Sequence, residues 1–376
     1  MSPRSTRGGP DVPLFDLRLE QEDLDSVAEV LRSGRLAMGE RTARFEAAFA
    51  RHLGSGHAVA VCSGTAALHL AYLGVGVGAG DEVIVPATTF VATANAAIYC
   101  GATPVIVDVM GTDDFGIDPD EVLRNISPRT RAVCAVHYGG YAAGVDRLAV
   151  ICADHGMTLV EDAAHSPSAS LEGRALGTWG ATAAFSFFSN KVLSVGEGGL
   201  VAVADGQTAD RVRRWRSSDR DRCADSGSEP CFNYALDEPR AALLLSRLER
   251  MRTEVSTRRA LTMRYRQSLA GLDGVTVPYT DAQVMASSCY VMPVVLEDPA
   301  RQTAVRSHML SCHGVQTSVL YPALHEFSAY RERFGPRHLP RAERIARAQL
   351  TLPLYPHMTK SDQGRVLDAL ESALRA

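Results

Sequence analysis

Lys191 ends the run Phe185-Ser-Phe-Phe-Ser-Asn-Lys191 and is followed by Val-Leu-Ser-Val-Gly-Glu-Gly-Gly199. Of the chain's 39 Lys and Arg residues, only Lys191 and Lys360 are lysine. A primary amine delivered by an apolar run to a polar turn can condense with a carbonyl, which an always-charged guanidinium cannot do. The position therefore points to carbonyl or pyridoxal chemistry. The plain alternative is a surface lysine surviving in an arginine-biased chain.

Other stretches carry compatible groups. Cys62-Ser-Gly-Thr65 opens a helical pattern after an apolar run, so Ser63 and Thr65 offer hydroxyls and Gly64 lets an anion approach the first-turn amides. An ordinary N-cap explains the same residues. Asp162, in Leu159-Val-Glu-Asp-Ala-Ala-His165, would keep a pyridinium nitrogen protonated, or would serve as a helix cap or surface ion pair. Phe90, in Pro86-Ala-Thr-Thr-Phe90, suits the face of a flat ring but equally suits a core. Ser186 is a further phosphate hydroxyl or a small packing residue. Arg216, Arg220 and Arg222 would take a carboxylate or a nucleotide diphosphate, or form a solvated face. Tyr321 and His325 would meet substrate, with packing as the alternative.

Phosphate-suited turn, aromatic, carboxylate, hydroxyl and amine follow one another in the order in which a parallel sheet brings its strand ends to one crevice. With these motifs, Gly80-Asp-Glu-Val-Ile-Val-Pro86, Gly196-Glu-Gly-Gly199, Asn233-Tyr234, Gly314-Val-Gln-Thr317 and Tyr321-Pro322, the chain from about residue 16 onward resembles the fold-type I pyridoxal-phosphate enzymes. Within them it is similar to the DegT/StrS-type sugar and aminocyclitol aminotransferases. The resemblance implies an aspartate aminotransferase-like α/β fold, with a mostly parallel mixed sheet between helices and a smaller C-terminal α+β domain. It implies that Lys191 binds pyridoxal 5′-phosphate through its amine, that Asp162 faces the ring nitrogen and that Phe90 stacks on the ring. His165 would lie near the ring hydroxyl, and Ser63, Gly64, Thr65 and Ser186 would hold the phosphate. Asn233 would reach the phosphate of a neighbouring subunit in a homodimer with shared active sites.

The activity implied is transfer of an amino group from glutamine or glutamate to a keto group on a sugar, nucleotide-linked or not, or on a cyclitol, in secondary-metabolite or cell-surface carbohydrate biosynthesis. A dehydratase, an aldolase-like enzyme and a cofactor-binding regulatory protein are the alternatives. Lysine at 191, where the family's dehydratases resemble one another in carrying histidine, favours transamination. Ala235, Leu320 and Ser218-Asp219 depart from the family pattern, which leaves the donor's carboxylate anchor and the acceptor open.

The elements that must position these groups are legible as alternating patterns. Short apolar runs at 57–61, 82–85, 104–107, 132–136 and 158–160 alternate with helical periodicity, as in a sheet buried on both faces, and runs at 183–188 and 200–203 flank the lysine turn. Helical patterns cover 20–33, 40–52 and 238–269. Beyond these, strand-like 290–296 and 315–319 and helical 301–312, 341–349 and 361–374 make a smaller unit. The expected organisation is a mobile arm over 1–13, a large cofactor-binding domain over 14–245 and a small domain over 246–376. Residues 219–230 read as an exposed loop.

With 376 residues, 46% of them hydrophobic, the chain is long enough for two packed domains. A net charge of −4 gives no general attraction to nucleic acid or to an anionic membrane surface. No spanning run or leader pattern appears, so a soluble cytoplasmic protein is expected. Cys62, Cys134 and Cys152 lie in apolar patterns and no Cys-x-x-Cys pair occurs, so the cysteines are read as small core residues. No metal-ligand spacing is present, and no metal is expected.

Overall fold

The computed structural model describes residues 10–217 and 231–376. Its strands are β1 (His57–Val61), β2 (Glu82–Pro86), β3 (Thr103–Val107), β4 (Thr130–Val136), β5 (Thr158–Asp162), the short hairpin β6 (Ser170–Leu171) and β7 (Arg174–Ala175), β8 (Thr182–Ser186), β9 (Gly199–Val203), β10 (Val275–Thr276), β11 (Met292–Leu296) and β12 (Gln349–Leu352). The large sheet runs β1-β9-β8-β5-β4-β2-β3. β2, β3, β4, β5 and β8 pair in parallel, and β9 runs antiparallel to both β8 and β1. The carboxyl ends of β1, β2, β4, β5 and β8 therefore share one edge.

In β2 and β4 alternate residues enter separate cores. Val83, Val85, Cys134 and Val136 join one cluster, whereas Ile84, Val133 and Ala135 join the other. This period of two explains why the strands read as unbroken apolar runs: both faces are covered. Helices α1 (Gln21–Ser33), α2 (Glu40–Leu53), α3 (Gly64–Gly74) and α4 (Val91–Tyr99) begin the chain. The 32-residue helix Glu238–Leu269, capped by Asp237 on the amide of Arg240, continues through the expected boundary at 245. A smaller antiparallel sheet, β10-β11-β12, follows it.

Four expectations are corrected. Residues 10–13 belong to the packed fold: Val12 is fully buried, its amide donates to the Gly314 carbonyl (3.1 Å) and its carbonyl accepts from Gln316 (3.0 Å). The run 315–319 forms only isolated bridges, at Val315 with Val12 and at Ser318 with Thr351. The helix read over 341–349 ends at Ala348, because Gln349 begins β12 against β11. Cys231 is disulfide-bonded, unlike buried Cys134 and Cys152 and partly buried Cys62. The predicted loop 219–230, with Arg220 and Arg222, lies outside the described residues.

Glu161 fixes the approach to β8. Fully buried, its carboxylate accepts from the amides of Gly177 (2.6 Å), Trp179 (2.7 Å) and Gly180 (2.7 Å) and from His137 Nε2 (3.0 Å). The His137 Nδ1 accepts from the Ala143 amide, so Nε2 carries the proton that Glu161 receives. Glu161→Gln replaces an acceptor-only group with one that must point two donors at buried amides. It should destabilise the protein by about 2–4 kcal/mol, read as a lowered urea midpoint; an unchanged midpoint would refute the role assigned to Glu161.

Candidate active site

Two strand ends meet at the start of α3. Ser63 caps the helix by accepting from the Ala66 amide (3.1 Å). A Cβ on Gly64 would lie 2.8 Å from Ser186 Cβ and 3.0 Å from its Oγ, so only glycine lets the helix start and the end of β8 approach so closely. A Cβ on Gly199 would fall 2.2 Å from the Ser63 carbonyl oxygen, which holds β9 to the same contact. The outcome is a helix N-terminus with hydroxyls from Ser63, Thr65 and Ser186 around it, an arrangement suited to a phosphate.

Asp162 ends β5 on the opposite face from Glu161. One carboxylate oxygen accepts from Thr93 Oγ1 (2.7 Å), which itself meets Thr89 Oγ1 (2.7 Å), and the other accepts from the Ala164 amide (3.2 Å). Burial pushes the Asp162 pKa up, against the Thr93 and Ala164 hydrogen bonds and the pull of Lys191. Among the described residues the carboxylate has no ion-pair partner within salt-bridge distance.

His165 Nδ1 accepts from the Gly139 amide (3.2 Å), so the neutral ring carries its proton on Nε2, which meets the Tyr321 hydroxyl at 3.2 Å. Burial, with Lys191 and His137 nearby, holds His165 well below its ordinary pKa. Its ring stacks on Tyr290 (4.3 Å between centroids), and Lys191 Nζ sits 4.6 Å from the centre of that same Tyr290 ring. Burial lowers the half-buried Lys191 to about 8, with Asp162 pulling the other way.

These groups line one cavity of about 430 Å³ that contains Ser63, Gly64, Thr65, Phe90, Asp162, His165, Ser186, Lys191 and Tyr321. Phe90 is 52% exposed at its mouth, 5.6 Å from the Tyr321 ring, so its apolar face awaits a partner. A buried carboxylate without a cation, an amine without an acid in contact and a free aromatic face fit pyridoxal phosphate. No group of acids, histidines and cysteines among the described residues could hold a metal ion.

Two candidates stand apart from the cavity, a correction to the expected substrate set. Arg216 is buried on the far side of β1, ion-paired to Glu46 and donating to the Ala60 carbonyl (3.0 Å). His325 is buried against Glu343 (3.3 Å) beside Tyr330 and Phe334. Asn233 is exposed and does not enter this chain's cavity. Sequence reading passed over Thr93, Asn190 and Tyr290. Only Thr93 left a signal, as the second of two hydroxyls spaced four apart after β2.

A family model described as the DegT/DnrJ/EryC1/StrS aminotransferase family matches residues 17–371. A Streptomyces venezuelae protein named dTDP-3-amino-3,4,6-trideoxy-alpha-D-glucose transaminase is 39% identical over 369 residues, 96% of each chain. The crystal structure of S. venezuelae DesV superposes with a TM-score of 0.89 at 39% identity, covering 98% of this chain and 100% of that one. NtdA from Bacillus subtilis, solved with bound cofactor PMP, superposes with a TM-score of 0.85 at 25% identity over 95% of this chain and 82% of that one.

With only two lysines in the chain, the state of Lys191 can be read by peptide mapping. A neutral amine is the reactive form, so acylation of Lys191 should rise with pH through a midpoint near 8. A midpoint near the ordinary lysine value of 10.5 would contradict the buried setting.

Proposed function

The chain belongs to the DegT/DnrJ/EryC1/StrS aminotransferase family, and from that premise we propose that it moves an amino group from glutamine or glutamate to the keto carbon of a sugar or cyclitol, with pyridoxal 5′-phosphate as cofactor. The observation that carries this reading is the pairing, in one cavity, of an amine lowered to about 8 with a fully buried carboxylate. A nucleotide-linked sugar is the acceptor class favoured by the S. venezuelae relative, whose name specifies a dTDP-sugar.

When bound, the cofactor supplies a carbonyl that takes up nitrogen and a ring that spreads negative charge from the substrate carbon. Asp162 is proposed to face the ring nitrogen and keep it protonated, with Thr93 and Ala164 orienting its two oxygens. Ser63, Gly64, Thr65 and Ser186 are proposed to hold the phosphate, and Phe90 to cover the ring. Lys191 Nζ would hold the cofactor and then, released, take a proton from one carbon and return it to another. A pKa near neutrality suits both directions. His165, kept neutral, would present its Nε2 proton without adding positive charge beside Lys191.

Exposed Asn233 is proposed to complete the phosphate site of a second copy, so that the working form is a homodimer with shared sites. Among the described residues no helix is long and apolar enough to cross a membrane. The proposed setting is the cytoplasm, where free amino acid donors are available.

The loaded protein, mixed with L-glutamine or L-glutamate, should pass from the carbonyl to the amine form of the cofactor by absorbance, and a keto-sugar nucleotide should reverse the change. Lys191→Ala should slow this conversion by at least about 10³-fold and abolish borohydride fixation of the cofactor to the 191 peptide. Bound cofactor inert to every donor would identify a binding protein instead.

A further inference from the structure

The Lys191 amine faces an aromatic ring rather than an acid. Its Nζ lies 4.6 Å from the centre of the Tyr290 ring, inside the roughly 6 Å over which a ring face attracts an ammonium. Among the described residues Nζ makes no hydrogen bond and no ion pair.

The ring is held in place from several parts of the chain. Tyr290 leads into β11 and is buried. It stacks on His165 (4.3 Å between centroids, 26° between planes) and lies nearly parallel to Phe15 of the N-terminal segment (5.7 Å, 9°). Its amide donates to the Gly139 carbonyl (2.9 Å), and the Gly139 amide donates to His165 Nδ1 (3.2 Å), so one residue sets the positions of both rings. The Tyr290 carbonyl accepts from Arg258 Nη1 (3.5 Å). Its hydroxyl, by contrast, is buried without a hydrogen-bond partner. An unsatisfied phenol costs stability, so the position uses the face of the ring and not its oxygen.

An amine that takes a proton from one carbon and returns it to another is an ammonium in between. A carboxylate in contact would hold that proton, raising the amine's pKa by about one to three units. The negative face of a ring attracts the cation and offers no base to receive the proton. Burial has already drawn Lys191 down to about 8, so a modest attraction decides how much of the amine is charged near neutrality.

We propose that Tyr290 is a positioning residue for the released Lys191, whose ammonium rests on the ring face between the uptake of a proton and its return. The assignment rests on the aminotransferase reading, in which the lysine is released. Two titratable groups act on the amine through space: Asp162 favours its charged form, and His165 is held neutral beside it. Exposed Arg18 and buried Arg247 and Arg258, with Glu254, line a cavity that Lys191 also borders. A change confined to the ring at 290 leaves all of these charges where they are.

Replacing Tyr290 by phenylalanine, and then by mono-, di- and trifluorophenylalanine, keeps a ring of nearly one size while draining its negative face. The pH midpoint of Lys191 acylation, mapped on the 191 peptide of the full-length chain, reads the result. Tyr290→Phe should leave the midpoint within about 0.3 pH unit of the wild type, and the fluorinated rings should lower it stepwise, by about half to one unit at three fluorines. The contact favours the charged form, so weakening it releases the proton at lower pH. The same series loaded with pyridoxamine 5′-phosphate, which brings its own amine and leaves Lys191 free, should show the same fall. A ring that served packing alone would give one midpoint throughout, and a flat series in either form would overturn the proposal. Failure of the wild-type protein, loaded with pyridoxal 5′-phosphate, to convert with any donor would overturn the aminotransferase reading, and the unloaded series would still judge the contact.

Discussion

A carboxylate buried at the end of a central parallel strand is the constraint on which the rest of this structure turns. Asp162 gives up hydration for one hydroxyl and one amide, and its burial alone would drive it toward the neutral form. A cation delivered by a ligand removes that penalty. Six strands run in one direction so that a phosphate-suited helix start, an aromatic face and an amine surround the same point. The strand's period of two does the rest, since it turns Glu161 into the opposite layer, where it anchors the chain entering β8 and hence the path to Lys191.

Lys191 lines the same cavity as Asp162, and its surroundings set its protonation. Asp162 keeps the lysine's pKa from falling further, and the Tyr290 ring lies 4.6 Å from its Nζ. The close contacts of Gly64 with Ser186 and of Gly199 with Ser63 make the arrangement rigid before anything binds.

Much of this was legible from the chain alone, because parallel strands buried on both faces announce themselves as apolar runs and their carboxyl ends mark one edge. Lys191, Asp162, Phe90 and the Ser63-Gly-Thr65 turn follow from that rule, and the structure gathers them in one cavity. Arg216 did not follow, because whether an arginine in a polar stretch faces solvent or core depends on Glu46, 170 positions away. His325 was misjudged for a similar reason: its neighbour Glu343 belongs to a separate helix. Val12 looked like part of a loose arm, since bridging to Val315 leaves no periodic mark in so short a segment.

The most direct test of the central claim is the ¹⁵N chemical shift of pyridoxal phosphate labelled at its ring nitrogen and bound to the full-length protein. A protonated pyridinium across the neutral pH range, lost on Asp162→Asn, is the predicted result. An unprotonated ring nitrogen in the wild-type protein, or one indifferent to that substitution, would contradict the claim that the buried Asp162 carboxylate is the counter-charge around which the site is built.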